Sequence, residues 1–144
     1  MKSVLLLPLL LLGACAATGG GGDPKPPVHL EGEYRGTYRL IHEEGAGDQW
    51  RESGGVWMSF SPDGTYEVRG DKLHLPPSGS GTWEREGDDL VLDDTALHTA
   101  DFDWTLILDG RFQLYGEGEG HIRLRQRDMD HNRIHELELR PLDR

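Results

Sequence analysis

The feature that most constrains this chain is a hydrophobic period of two. Tyr34, Gly36, Tyr38 and Leu40 alternate with Arg35, Thr37 and Arg39, and Val56, Met58 and Phe60 alternate with Trp57 and Ser59. Further on, Phe102, Trp104, Leu106 and Leu108 alternate with Asp101, Asp103 and Thr105, while Ile122 and Leu124 alternate with His121, Arg123 and Arg125. Successive side chains of a strand point to opposite faces, so each run reads as a strand with one buried face. Turn formers separate the runs: Ser61-Pro62-Asp63-Gly64, Gly87-Asp88-Asp89, Asp109-Gly110 and the stretch Asp128 to Asn132. The pattern predicts an all-β domain over 28–144, an antiparallel up-and-down meander of about eight short strands closing into a barrel. Only Asp94 to Ala100 reads as a helical turn, and it is short.

Parity sets the register of two hairpins. In Ser61-Pro62-Asp63-Gly64 the proline suits the second turn position and the glycine the left-handed one, which leaves a loop of about three residues. Ser61 then pairs with Thr65, Phe60 with Tyr66 and Met58 with Val68, and Ser59 faces Glu67 on the other side. Near the C-terminus, pairing Asp128 with Arg133 aligns Leu124 with Leu137 and Ile122 with Leu139. The same register opposes Arg125 to Glu136 and Arg123 to Glu138 outside, and Gln126 to His135 inside. Asp109-Gly110 admits two loops: a two-residue one pairs Leu108 with Arg111, and a three-residue one pairs Leu108 with Phe112. Both stay open.

The first 27 residues are of another kind. Met1-Lys2-Ser3 is a basic start, Val4 to Leu12 is a leucine-rich run too short to cross about 30 Å of hydrocarbon, and Leu12-Gly13-Ala14-Cys15 follows. That tetrapeptide resembles a bacterial lipobox. The resemblance implies a signal peptide over 1–14, diacylglycerol on the Cys15 sulfur and an acyl chain such as palmitate on its amine. Ala16 after the cysteine implies the outer membrane, since Asp there favours inner-membrane retention. Residues 15–27 carry Gly19 to Gly22 and then Pro24, Pro26 and Pro27, the composition of a tether. Cys15 is the one cysteine of the chain, so neither an intramolecular disulfide nor cysteine-based chemistry is available.

Within the domain, Gly32-Glu33-Tyr34-Arg35-Gly36, the stretch Met58 to Tyr66, and Gly81-Thr82-Trp83-Glu84-Arg85 with Asp89-Leu90-Val91-Leu92 resemble the small lipocalin-like lipoproteins of the calycin group. The likeness covers roughly residues 30 to 140. It implies a lipocalin-like barrel in the bacterial envelope. The copper-responsive members carry a Cys-x-x-Cys, which this chain lacks.

Chemistry is sparse by contrast. The chain has 15 basic and 26 acidic residues, a net charge of −11 that disfavours nucleic acid as a partner. Seven histidines are scattered without metal-ligand spacing, and no metal or other cofactor is expected. Asp128-Met129-Asp130-His131-Asn132 starts like a calcium loop but continues with Arg133 where such a loop needs glycine. Ser78-Gly79-Ser80-Gly81 is not a nucleophile elbow. Asp101 and Asp103 share a strand face, which solvation explains better than acid–base work, and the expectation is a protein that is not an enzyme.

What remains is binding. Tyr34, Tyr38, Met58, Phe60 and Tyr66 fall on inferred inner faces, as do Phe102 and Trp104, with Trp83 alongside. They are expected to line a cavity for a small apolar or amphipathic ligand; the alternative is that they fill the barrel and leave its exterior to act as a protein-interaction or envelope-maintenance module. In the first case Gln126 and His135 form the polar end of the pocket, the amide bonded to one imidazole nitrogen, and burial lowers the His135 pKa. The alternative for this pair alone leaves both solvated at the rim. With the signal removed, Cys15→Ala is expected to move the chain from the membrane fraction to the soluble fraction, because the tether has no apolar segment of its own. Sedimentation of envelope fractions checks this.

Overall fold

The computed structural model describes residues 29–44, 49–72, 75–76, 78–100 and 103–142. The signal, Cys15, the tether and Phe102 lie outside them. Eight strands follow in order: β1 (Gly32–Glu43), β2 (Gln49–Phe60), β3 (Thr65–Gly70), β4 (Gly79–Glu86), β5 (Asp89–Asp94), β6 (Gly110–Gly118), β7 (His121–Asp128) and β8 (Arg133–Pro141). Each pairs antiparallel with the next and β8 returns to β1, closing the barrel in the predicted up-and-down order.

The two hairpins have the registers that parity requires. Phe60 pairs with Tyr66 and Met58 with Val68, and Ser61 N–H donates to the Thr65 carbonyl at 2.8 Å. At the other end of the chain Asp128 pairs with Arg133, Gln126 with His135 and Leu124 with Leu137. The expected outer-face charge pairs are opposed in register, but the carboxylates bond elsewhere. Arg39 of β1 reaches Glu136 at 3.1 Å and Glu138 at 2.6 Å across the closing seam. Its guanidinium holds the Glu138 carboxyl below its ordinary value.

Two expectations fail between Asp94 and Gly110. Asp94 ends β5, and its carboxylate accepts from Ala96 N–H at 3.1 Å, a local bond that competes with helix formation over 94–100. The strand expected through Trp104 and Leu108 is absent too. Asp103 accepts from Thr105 N–H at 3.0 Å and caps a single 3-10 turn at Trp104–Leu106, which turns Trp104 outward. Trp104 is therefore 57% exposed and belongs to no inner face. Asp109-Gly110 is no hairpin either. Gly110 starts β6 opposite Leu92, so neither loop applies and Phe112 pairs with Leu90.

Inside, the barrel is filled. Tyr38, Met58, Leu90, Phe112, Leu124 and Leu137 have no exposed surface, and Tyr34, Phe60, Tyr66, Val68, Leu92, Ile122 and Leu139 keep 1–3%. Trp83 is partly buried, its ring edge-on to Phe60 at 5.7 Å and its N–H donating to the Ser61 carbonyl at 3.2 Å. Burying each large side chain contributes about 1.5–3 kcal/mol. The two ends differ. One, the turn end, has the tight turns before β3, β5 and β7 and the chain leading into β1. There Leu30 is buried and Tyr34 donates to the His29 carbonyl at 3.1 Å. The other, the loop end, has the connections 44–48, 71–78 and 95–109 and the turn Met129 to Asn132. Leu75 and Leu108 cover the core there.

Closure needs a glycine at one point. A methyl at Gly36 would overlap the Glu138 carbonyl oxygen on β8, and backbone cannot step aside as a side chain can. Gly36→Ala is expected to lower the unfolding free energy by about 2–3 kcal/mol. Thr37→Ala, on the outer face, is expected to cost no more than about 1 kcal/mol. Urea denaturation of both variants measures the difference.

Candidate functional site

The inner faces change character toward the loop end. On β8 the inward positions run Leu139, Leu137, His135 and Arg133, apolar at depth and polar at the mouth. β1 follows the same course from Tyr34 through Tyr38 to His42, and β5 from Leu90 through Leu92 to Asp94. A polar layer thus lies over the apolar core, and its groups are paired across the barrel.

His135 is 2% exposed, and its Nδ1 lies 2.8 Å from the Tyr38 hydroxyl. Burial, reinforced by the Arg133 charge, lowers the His135 pKa to about 4, so the ring is neutral at pH 7. Burial also pushes the Tyr38 phenol well above its ordinary value. A protonated phenol beside a neutral imidazole donates to Nδ1, which leaves the ring proton on Nε2. The expected burial and pKa shift are found, with a different partner. Gln126 is register-paired with His135, yet its amide donates to the Asp109 carbonyl at 2.6 Å. That bond ties β7 to the start of β6.

A second cluster pins the 95–109 connection over the mouth. Tyr66 donates to the Leu108 carbonyl at 3.1 Å and lies 3.4 Å from the Asp94 carboxylate. Asp94 also holds His98 Nε2 at 2.7 Å, with both side chains only 6% exposed. Burial, and then the Asp94 charge, raises the Tyr66 pKa. Arg133 completes the layer. It is 7% exposed, its nearest carboxylate is Asp128 at 3.5 Å, and its Nε is buried without a hydrogen-bond partner. Arg133 escapes a reading that looks for catalytic types, although its parity with His135 and Leu137 marks it as inward. Asp94 and His98 carry only the spacing i, i+4, which gains meaning once Asp94 is known to end a strand.

Of the residues expected to line a cavity, Tyr34, Tyr38, Met58, Phe60 and Tyr66 are brought together, with Trp83 at their edge; Trp104 is not among them. They belong to one buried cluster, with Phe60 edge-on to both Tyr34 and Trp83. A void of several hundred cubic ångströms would leave its walls exposed, and these walls are not. Among the described residues, a cleft of about 360 Å³ opens instead at the loop end, between Thr105 and Ile107 on one side and Met129 on the other, with Gln126 and His135 at its base. Hollows of about 690 and 710 Å³ are open grooves on the outside of the barrel. No group of three or more His, Cys, Asp or Glu side chains among the described residues is placed to hold a metal ion.

The neutral, buried His135 makes stability depend on pH. Its folded pKa of about 4 lies below the ordinary 6.5, so the unfolded chain binds the extra proton first. The contribution is fully present above pH 6.5 and is lost as pH falls toward 4. At about 1.36 kcal/mol per pH unit the loss approaches about 3 kcal/mol. Urea unfolding at pH 7 and pH 5 is expected to show it, and His135→Gln is expected to flatten that part of the dependence. No family model, curated protein or solved structure matches this chain.

Proposed function

We propose that this chain is a lipid-anchored protein of the bacterial envelope, held in the outer membrane through Cys15, whose closed barrel is a non-enzymatic protein-interaction module. The observation that carries the second half is the filled interior. Side chains from all around the barrel meet at its axis, Leu30 covers one end of the core, and Leu75 and Leu108 cover the other. A carrier for an apolar molecule needs walls without contents, and an apolar ligand here would first have to displace Phe60, Phe112 or Leu137. Such a displacement forfeits the packing that holds a thin core together. The carrier reading is therefore the weaker of the two. The first half rests on the lipobox and on the tether that follows it.

Tyr38 and His135 are paired, yet both are buried and engaged with each other. In an assay with a fluorescent fatty acid, the purified domain is expected to leave probe emission unchanged at micromolar protein. Saturable 1:1 binding, lost on replacing a core side chain such as Phe60, would overturn the closed-barrel reading in favour of the carrier.

A further inference from the structure

Among the described residues four large apolar side chains stand in water: Trp50 (46% exposed), Leu97 (101%), Trp104 (57%) and Met129 (74%). All four belong to the loop end. Trp50 opens β2, Leu97 and Trp104 lie in the connection from β5 to β6, and Met129 lies in the turn from β7 to β8. Single exposed apolar residues are ordinary on any surface, whereas a gathering of them marks a contact site.

The two tryptophans among them are held by neighbouring side chains. The His98 ring, next to Leu97, meets Trp104 edge to face at 5.6 Å, and Thr105 shares the 360 Å³ cleft with Met129. Across the mouth, Trp50 lies flat on His42 with ring centroids 3.5 Å apart, and its N–H donates to Glu44 at 3.0 Å. An aromatic ring fixed in place while exposed has little freedom left to lose on binding.

Charge selects the occupant. Glu44, Glu52, Asp103, Asp109 and Asp130 lie at this end with them, and they outnumber the bases: Arg51 is exposed beside Trp50, and the others are engaged. Arg127 is paired with Glu43 at 2.7 Å, Arg133 is buried beside Asp128, and Lys72 donates to the Ser53 carbonyl. Such a surface repels an anionic bilayer and a second copy of itself, and attracts a basic partner. We propose that the loop end is a docking surface for a protein that presents apolar side chains flanked by lysine or arginine. Trp50, Trp104, Leu97 and Met129 receive the apolar groups, and the cleft edged by Asp109 and Asp130 receives one basic side chain. The chain enters β1 at the turn end, so a Cys15 anchor leaves the loop end facing away from its own attachment. This inference rests on the interaction reading above and narrows it to one face and one chemistry.

Photo-crosslinking in host cells separates the two. The full-length lipidated chain carries p-benzoyl-phenylalanine in place of Leu97 or Met129 at the loop end, Glu84 on the wall, or Asp88 at the turn end. The expected result is a protein adduct from Leu97 and Met129 but not from Glu84 or Asp88. Its sequenced contact peptide is net basic with apolar residues, and its yield falls at least tenfold with Trp104→Ala. Adducts confined to Glu84 or Asp88 overturn the loop-end assignment and leave the interaction reading standing. Adducts with a second copy, with lipid or with an acidic peptide overturn the proposed partner. The absence of protein adducts at all four positions overturns both readings.

Discussion

Everything in this barrel depends on β1 being shared by two neighbours. It pairs with β2 from Gly32 to Glu43 and with β8 from Tyr34 to His42, so its backbone donors and acceptors are used on both sides. An open eight-stranded sheet of this composition would expose two edges and one apolar face. Closure removes the edges and folds the face upon itself. The seam also creates the mouth. Tyr38 and His135 are 97 residues apart in sequence, and only the β1–β8 register brings phenol to imidazole. Gly36 permits the approach, and Arg39 spans it from outside.

How far the sequence revealed this fold follows from where its information is local. The Ser61–Thr65 and Asp128–Arg133 hairpins were legible because turn chemistry and alternation agree over a few residues. The stretch 101–108 misleads because alternation there competes with a stronger local device, the Asp103 cap on Thr105. At the site, the Gln126–His135 neighbourhood follows from hairpin parity. The partner of His135 does not, because it comes from the first strand, whose register with the last is set by closure. The same holds for Asp94, whose role depends on Tyr66 from a strand that is not its neighbour. Within the strands, local pattern fixes which side chains point inward, and only the closed sheet decides which of them meet.

The two ends divide the labour. The turn end is built from glycine turns and short loops and is covered by Leu30. The loop end gathers the irregular backbone, the buried polar layer and the exposed aromatic rings. Buried polar groups are costly unless paired, and here most are: Tyr38 with His135, Tyr66 with the Leu108 carbonyl and Asp94, and Asp94 with His98. These bonds fasten His98 and Leu108, on either side of Trp104, to the barrel. The surface offered at this end is as rigid as the pairs beneath it.

The shared strand also has a consequence for biosynthesis. The partner that closes β1 lies at Arg133–Pro141, after all the other strands, so no chain that stops short of it completes the sheet. During synthesis β1 waits with one edge bare until the last strand emerges. A chain cut short before Arg133 keeps β1 and β7 as permanent edges, each with a row of backbone donors and acceptors ready for another molecule. The bonds that close one copy are then open to a second.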